Sequence, residues 1–292
     1  MEASLLHAQA FRLYQAGRYG EAEPLYRRAL AIREGALGSE HPQVAASLNS
    51  LAEFYRVQGR YEEAEPLQRR ALAIWEKVLG PDHSHVAQSL SNLALLYDIQ
   101  GKYAKAEPLY RRALAIREKA LGPEHSYVAQ SLTSLAVLYR VQGRYAQAEP
   151  LHRRSLAIRE KALGPGHPSL VTSLNNLAVL YQDQARYAKA EPLYRRSLAI
   201  WEKALGPSHL QVATSLDNLA SLYQDQGRYE EAEPLYRRAL AILEKRLGPD
   251  HPTIVKTLVN MAKLYEKLGR REEAAGLSAR AKVMEERLSG RR

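Results

Sequence analysis

The feature that most constrains this chain is its repetition of its own sequence. A Gly-Arg-Tyr turn signal, or a close variant of it, recurs at Gly17, Gly59, Gly101, Gly143, Ala185 and Gly227 and fades at Gly269. The interval is 42 residues each time in a chain of 292 residues. A fixed period of this length is typical of stacked repeats that pack mainly against their neighbours. We therefore predict a single repeat domain over 1–292, with units at 1–42, 43–84, 85–126, 127–168, 169–210, 211–252 and 253–292.

Each unit has the hydrophobic pattern of two helices. In the third unit we predict a first helix over 86–100 and a second over 103–121, because apolar residues recur at helical spacing in both. At about 100° per residue one stripe of the first helix is formed by Leu90, Leu93, Ala94 and Tyr97. This stripe should be buried against the second helix. The fold class predicted from the pattern is all-α, built from antiparallel helix-turn-helix units.

Glycine and proline mark the ends of these helices. Glycine closes the first helix because a residue without Cβ adopts the left-handed conformation at little cost. Ala185 stands at this position in the fifth unit, so we expect it to strain or alter the turn. A second irregularity lies inside the second helices, which should either start late or bend at their prolines. These prolines are Pro24, Pro66, Pro108, Pro150, Pro192 and Pro234.

Composition excludes several classes of protein. The chain has no cysteine, which rules out a disulfide framework and thiol chemistry. It shows neither a basic leader nor a run of about 18 apolar residues, so we predict a cytoplasmic protein that does not enter a membrane. The net charge of +10 is a weak sign of nucleic-acid binding, because 32 acidic residues are interleaved with 42 basic ones.

The repeated segment identifies a known family. The pattern Leu-x-x-Leu-Ala-x-x-Tyr-x-x-Gln-Gly-Arg-Tyr-x-x-Ala-Glu-Pro-Leu-Tyr-Arg-Arg-Ala-Leu resembles a tetratricopeptide repeat in all seven units. The 42-residue length and the Leu-Gly-Pro-x-His-Pro connector are most similar to the kinesin light chain class of these repeats. The resemblance implies a right-handed superhelical solenoid of seven repeats, with the first helices lining its inside and the second helices covering its outside. One departure is a leucine, such as Leu90, where the family has a bulky aromatic residue.

The resemblance also implies that partners bind along the first helices. The stripe opposite the predicted core is formed in the third unit by Gln88, Asn92, Leu95 and Ile99, and it is partly apolar. In similar kinesin light chain repeats, asparagines of the Asn-Leu-Ala segment bind a peptide backbone, for which a carboxamide offers both a donor and an acceptor. The candidate groove residues are Asn49, Val57, Gln88, Asn92, Leu95, Ile99, Gln130, Ser134, Val137, Val141, Asn176, Val179, Asp183, Asn218, Asp225, Asn260 and Lys263.

We therefore predict a scaffold that binds a protein or an extended peptide. Lysines in the last unit, Lys256, Lys263 and Lys267, favour a ligand with apolar anchors and acidic residues at one end. Two alternatives for individual groove residues stay open. The asparagines could bond to the helix of a neighbouring repeat, and Val137 and Val179 could pack between adjacent first helices. An architectural or self-associating spacer is the second hypothesis for the whole protein.

Nucleic-acid binding through a ladder of arginine pairs is the third hypothesis. These pairs begin at Arg27, Arg69, Arg111, Arg153, Arg195 and Arg237. Each first arginine follows a glutamate by four residues, as Arg111 follows Glu107, so the ladder is better explained as an ion-paired outer face. Trp75 and Trp201 replace arginine at one position predicted to be outer, where they mark extra packing or a convex contact patch.

The histidines of the connectors raise the question of a metal site. They are His41, His83, His125, His167, His209 and His251. Successive members are separated by about two packed helices of roughly 9 Å each, too far apart to share a zinc ion. We predict instead a structural hydrogen bond at the start of each first helix. The sequence contains no phosphate-binding glycine loop, nucleophile elbow or metalloprotease motif, so we expect no cofactor, no metal and no enzymatic activity.

Overall fold

The computed structural model describes residues 1–289, and these residues form α-helices and one short 3-10 turn without any strand. The all-helical fold class is therefore confirmed. The helices fall into two compact units, one from Met1 to Arg144 and one that begins at Tyr145. The helices of unit 1 are α1 (Glu2–Gln15), α2 (Tyr19–Leu37), α3 (Pro42–Val57), α4 (Tyr61–Leu79), α5 (Ser84–Ile99), α6 (Tyr103–Leu121) and α7 (Ser126–Val141).

Unit 2 has the same alternation of helix lengths. Its helices are α8 (Tyr145–Leu163), α9 (Val171–Asp183), α10 (Tyr187–Leu205), α11 (Leu210–Asp225), α12 (Tyr229–Leu247), α13 (Thr253–Lys267) and α14 (Arg271–Ser289), with the 3-10 turn Pro168–Leu170 before α9. We call the odd-numbered helices first helices and the even-numbered ones second helices. The predicted second helix over 103–121 coincides with α6.

Within each unit, the second helices pack on the first helices that adjoin them in sequence. In unit 1 the hairpins are α1 with α2, α3 with α4 and α5 with α6, and each second helix also contacts the first helix that follows it. In unit 2 the hairpins are α9 with α10, α11 with α12 and α13 with α14. This alternation produces one continuous core per unit, as expected when a hairpin cannot bury its own apolar face alone.

The predicted stripe of the first helix forms this core. Leu90, Leu93, Ala94 and Tyr97 are all buried, and equivalent residues are buried in the other inner first helices. In unit 2 one cluster joins side chains of four helices: Leu216, Ile242, Leu258 and Met284. Full burial of an aliphatic side chain of this size stabilises the fold by roughly 1.5–3 kcal/mol. Burial in this core therefore explains why the same apolar residue types recur at equivalent positions of the repeats.

The turn after each first helix has the predicted left-handed residue. Gly101 has a φ of 70°, and Ala185 has a φ of 54° as the one non-glycine residue with positive φ among residues 1–289. The alanine turn keeps its hydrogen bonds, since the Ala185 N–H donates to the Gln182 carbonyl at 2.9 Å. The equivalent bond from the Gly143 N–H is also 2.9 Å long. The turn is thus unaltered in shape, and the strain is borne by Ala185.

The connector histidines cap the first helices, as predicted. The His83 Nδ1 accepts a hydrogen bond from the His85 N–H at 3.2 Å, and His125 accepts one from the Tyr127 N–H at 3.1 Å. An imidazole acceptor here replaces the oxygen of a common N-cap residue. The bond explains why α5 begins at Ser84, two residues before the predicted start, and it ends at Ile99. The same bond is made by His41, His167, His209 and His251.

The prolines lie inside continuous helices. Helix α6 begins at Tyr103 and runs through Pro108 to Leu121. The predicted late start is therefore wrong, and the alternative, a bend at the proline, stays a prediction. Pro108 is the sixth residue of α6, so its missing N–H leaves the Ala104 carbonyl without the usual intrahelical hydrogen bond.

Candidate binding face of the first helices

The side of each first helix that points away from its second helix is the candidate site. We call it the first-helix face, and in α5 it comprises Gln88, Ser91, Asn92, Leu95, Asp98 and Ile99. Leu95 is 37% exposed and Ile99 is 43% exposed, although both are aliphatic. Gln88 is exposed and Asn92 is half-buried. The four groove candidates of the third repeat thus share one accessible surface.

Sequence differences between repeats concentrate on this face. Along the inner first helices the buried tyrosine is invariant, and it appears as Tyr55, Tyr97, Tyr139, Tyr181 and Tyr223. The face position two residues before this tyrosine holds a different kind of side chain in most repeats: Glu53, Leu95, Val137, Val179 and Ser221. Packing requires the buried residue types, whereas the face positions carry no such constraint. The face is therefore where the side chains of the repeats differ most.

In unit 1 the face carries exposed aliphatic residues among its polar ones. Val57, Ile99 and Val141 occupy equivalent positions at the ends of α3, α5 and α7, and each is exposed by more than 40%. Gln130 is exposed, whereas Ser134 and Val137 are half-buried. Isolated exposed apolar residues are ordinary, but three at one position of successive helices form a patch of the kind used in protein contacts.

An aromatic cavity adds to this apolar surface. Its volume is about 210 Å³, and it is lined by Phe11, Tyr14, Tyr26, Asn49, Ser50, Glu53 and Phe54. Except for Tyr26, which comes from α2, these residues belong to α1 and α3. This cavity was not predicted from the sequence. A signal was present, since Phe11 and Phe54 are the two phenylalanines of the chain and both lie on first helices.

In unit 2 the face is polar and hydrogen-bonded. The Gln182 Nε2 donates to Asp225 Oδ2 at 2.6 Å, and the Tyr194 hydroxyl donates to Gln182 Oε1 at 2.9 Å. Asp183 and Asp225 are exposed at the position that holds valine or isoleucine in unit 1. Val179 is half-buried, and Lys263 of α13 is exposed. The two units thus present different chemistry on equivalent surfaces.

Asn49 lies outside the position that Asn92, Asn176, Asn218 and Asn260 share. Asn49 lies one residue earlier in its helix than Asn92, and its Nδ2 donates to the Ser89 hydroxyl of the next repeat at 3.4 Å. For Asn49 the alternative of a bond to a neighbouring repeat is therefore correct. Asp217 lies at the same position as Asn49 and accepts from the Thr257 hydroxyl at 2.7 Å. Burial raises the pKa of Asp217 above its usual range.

The asparagines at the Asn92 position have a different environment. The Asn92 Oδ1 accepts a hydrogen bond from Gln88 Nε2 at 2.9 Å within the same helix. Asn176, Asn218 and Asn260 are half-buried, and their carboxamides make no hydrogen bond to any group in residues 1–289. A half-buried amide without a partner has lost part of its contact with water and makes no hydrogen bond that compensates for this loss. They are therefore the polar groups on this face that are available to a ligand.

The opposite edge of most hairpins holds the same ionic contact. Glu107 of α6 accepts hydrogen bonds from Arg144 Nη1 at 2.5 Å, from the Tyr139 hydroxyl at 3.0 Å and from Arg111 Nε at 3.0 Å. We call this arrangement the glutamate clamp, because Tyr139 and Arg144 belong to the next repeat. The Arg144 guanidinium lowers the pKa of Glu107 to about 2. Equivalent clamps join Glu23 to Arg60, Glu149 to Arg186, Glu191 to Arg228 and Glu233 to Arg270.

The arginine pairs are also engaged in ion pairs. The first arginine of a pair contacts the clamp glutamate of its own helix, as Arg195 contacts Glu191 at 2.9 Å. The second contacts a glutamate of the preceding repeat, as Arg112 contacts Glu76 at 2.5 Å. This supports the interpretation of the ladder as an ion-paired outer face. A neutralised ladder offers few free charges to a phosphate backbone.

The tryptophan position is not an outer one. Trp75 is buried and stacks on His85, with ring centroids 4.5 Å apart. Arg117 occupies the equivalent position in α6 and is also buried. The prediction of an outer position is wrong, because this residue lies between its own helix and the following first helix. Of the two alternatives for Trp75, extra packing is the correct one.

Two further properties concern residues 1–289 only. In this range no three histidine or acidic side chains are grouped closely enough to hold a metal ion. No helix in the same range combines the length and the apolar character needed to span a bilayer.

Paired helices, left-handed turns and stacked hairpins define this protein as a helical-repeat protein. The sequence model of the tetratricopeptide repeat matches residues 1–56, 43–119, 99–161, 127–203, 169–245 and 211–281. The chain therefore belongs to the tetratricopeptide repeat family, and its structural relatives are of the kinesin light chain-like type, which confirms the resemblance. No curated protein sequence matches the chain.

Solved structures support the same assignment. Nearly identical tetratricopeptide-like repeats of a Podosopora anserina kinesin light chain are 32% identical, with a TM-score of 0.64 over 71% of this chain and 99% of that one. BtubC from P. vanneervenii is 25% identical, with a TM-score of 0.63 over 84% of this chain and 91% of that one. A Rap protein complexed with competence and sporulation factor is 18% identical, with a TM-score of 0.65 over 100% of this chain and 76% of that one, and shows the fold alone.

Proposed function

We propose that this protein is a non-catalytic cytoplasmic scaffold that binds a partner segment along its first-helix faces. One observation carries the proposal. The repeats share their buried residues and their clamps but differ on the first-helix face, where Asn176, Asn218 and Asn260 have no hydrogen-bond partner in residues 1–289. A surface that varies between otherwise similar repeats, and that holds unpaired amides beside exposed aliphatic residues, suits a polypeptide ligand.

The two kinds of side chain have separate roles in this proposal. Carboxamides of Asn92, Asn176 and Asn218 bond to the ligand backbone, which every peptide sequence offers. Exposed side chains such as Leu95 and Ile99 bury apolar side chains of the ligand and supply most of the selectivity. A Rap protein of similar fold is complexed with competence and sporulation factor, so a protein of this fold can bind a partner.

A peptide selection tests the proposal. Random peptides displayed on phage are selected on the intact chain, and the affinity of the best peptide is measured by fluorescence anisotropy. The triple variant Asn92→Arg, Asn176→Arg, Asn218→Arg should weaken binding by about 100-fold or more, because each arginine removes an amide and fills the face. Its unfolding midpoint should stay close to that of the parent, since these side chains are not part of the core.

A matched control places the same charges on the second helices. Ala115, Ala199 and Ala241 are exposed on α6, α10 and α12, and their replacement by arginine should leave peptide affinity unchanged. Equal loss of binding in both triple variants would indicate a general charge effect and reject the face as the site. Concentration-dependent association of the chain without a partner would favour the alternative of a self-associating spacer.

A further inference from the structure

Arg117 is a buried arginine of unit 1 whose partners are neutral. The residue is 5% exposed, and its guanidinium donates to the Ser131 hydroxyl at 2.5 Å and to Gln88 Oε1 at 2.9 Å. Arg33, at the equivalent position of α2, also donates to a serine hydroxyl, that of Ser47, but it is only half-buried. The ring of Tyr127 lies 5.8 Å away. No carboxylate in residues 1–289 lies within ion-pair distance of it, whereas the arginine pairs and turn arginines of the clamps contact glutamates. A buried charge without a counter-ion is costly, so it attracts a negative group from outside.

The charge is connected to the first-helix face by a chain of hydrogen bonds. Arg117 donates to Gln88 Oε1, and Gln88 in turn donates through Nε2 to Asn92 Oδ1 at 2.9 Å. Because the guanidinium can only donate hydrogen bonds, the oxygen end of the Gln88 amide must face it. The Gln88 nitrogen therefore points toward Asn92 and holds the Asn92 oxygen as its acceptor. The Asn92 Oδ1 already accepts one hydrogen bond, so the Nδ2 is the end of the amide that has no partner and is offered to a ligand.

The fifth and sixth repeats lack this arginine and can be compared with the third. At the position of Arg117 the fifth repeat has Trp201 and the sixth has Leu243, and there Asn176 and Asn218 have no partner within the described residues. The position of Gln88 is threonine in both repeats. A free carboxamide can turn either its oxygen or its nitrogen to a ligand. Asn92 differs, because the network holds it as a donor.

We propose that Arg117 is a positioning residue that makes the Asn92 site selective for an oxygen acceptor of the ligand, and for a carboxylate above a carbonyl. This inference rests on the proposed function, since it specifies the ligand group that the face receives at α5. The Asn92 Nδ2, when turned to the ligand, favours an oxygen acceptor over an N–H, because two donors facing each other cannot form a hydrogen bond. The uncompensated charge of Arg117 then favours the acceptor that carries a negative charge.

The experiment uses the peptides selected on the intact chain. Acidic residues should be enriched at one position of these peptides. For the tightest peptide, three versions are compared: the parent, an analogue with that Asp or Glu changed to its amide, and an analogue with an amidated C-terminus. The intact chain should bind the parent about tenfold more tightly than the side-chain amide. If the C-terminal amide alone weakens binding, the carboxylate is the terminal one.

Two variants connect this preference to the network. Arg117→Leu copies the sixth repeat, and Gln88→Thr copies the fifth and sixth repeats and changes only an exposed side chain. Arg117→Leu should bind parent and amide peptides equally. Gln88→Thr should lose part of the preference, because Asn92 is freed while the Arg117 charge remains, and Arg117→Lys should also keep part of it. The unfolding midpoint of Arg117→Leu should not fall, which separates positioning from a structural role. Gln88→Thr leaves the buried position intact, so the test does not depend on the folding of Arg117→Leu.

The outcomes separate this inference from the proposed function. Peptides that bind the face with the same carboxylate preference in both variants would overturn the role of Arg117 and leave the function standing. Peptides without any acidic enrichment or terminal-carboxylate preference would do the same. A selection that returns no face-binding peptide would reject the proposed function, and this inference with it.

Discussion

The contacts between repeats and the first-helix face lie on the same hairpins, and they differ in how strictly their chemistry is repeated. The clamp of Glu107, Tyr139 and Arg144 recurs at Glu149, Glu191 and Glu233 with nearly the same distances. The face changes from aliphatic side chains at Val57 and Ile99 to carboxylates at Asp183 and Asp225. The comparison shows that positions in the contacts between repeats stay nearly constant. Positions on the exposed face diversify, even where, as at Asp225, they hydrogen-bond within the described chain.

The largest effect is expected from breaking a clamp. Glu107→Gln removes a charge that three partners share, and it should lower the free energy of unfolding by about 2 kcal/mol. Glu65→Gln should cost less, about 1 kcal/mol, because Lys102 replaces the turn arginine and bonds to Gln100 instead. Urea denaturation of both variants measures the difference. Equal losses would contradict the role given to the turn arginine.

Acid should weaken the same contact without any mutation. The pKa of Glu107 is about 2 in the folded protein, against an ordinary value of 4.5, because Arg144 stabilises the carboxylate. A lowered pKa contributes stability that is fully present above about pH 4.5 and is lost as the pH falls toward 2. Urea midpoints between pH 7 and pH 3 should fall less steeply for Glu107→Gln than for the parent. Parallel curves would mean that Glu107 is not the titrating group.

A smaller effect is expected from exchanging alanine and glycine at the turns that follow the first helices. Ala185 has a positive φ of 54°, so Ala185→Gly should stabilise unit 2 by about 1 kcal/mol. Gly101→Ala introduces the same strain into a regular turn, whose φ is 70°, and should destabilise unit 1 by a similar amount. Hydrogen exchange of the flanking helices measures each unit separately. A destabilising glycine at 185 would show that the alanine methyl group contributes packing that outweighs the strain.

Much of the fold was predictable because the period, the core and the turns are local patterns. The bounds of α6 and the burial of Leu90 and Tyr97 follow from helical spacing alone. The start of α5 was predicted two residues late because a histidine cap extends the helix toward His83. Helical spacing predicted that Trp75 lies on the outer surface, whereas it is buried. The spacing within one helix does not show that the next repeat covers this residue.

The site was less predictable because it depends on contacts between repeats. Spacing placed Gln88, Leu95 and Ile99 on one accessible surface, as observed. It could not show that Arg117 reaches Gln88 from another helix, or that Asn49 bonds to Ser89 of the next repeat. The aromatic cavity beside Phe54 likewise arises where two repeats meet. Such pairs are about 30 to 40 residues apart in sequence, close to one repeat period, and no local pattern relates them.

The most direct test of the account is to ask which side of one hairpin touches a bound peptide. A photo-reactive phenylalanine derivative is introduced either at Leu95 on the first-helix face of α5 or at Ala115 on the exposed side of α6. With a selected peptide present, illumination should cross-link the peptide to the protein substituted at position 95 and leave the protein substituted at position 115 free. Cross-linking at position 115 and not at position 95 would contradict the central claim.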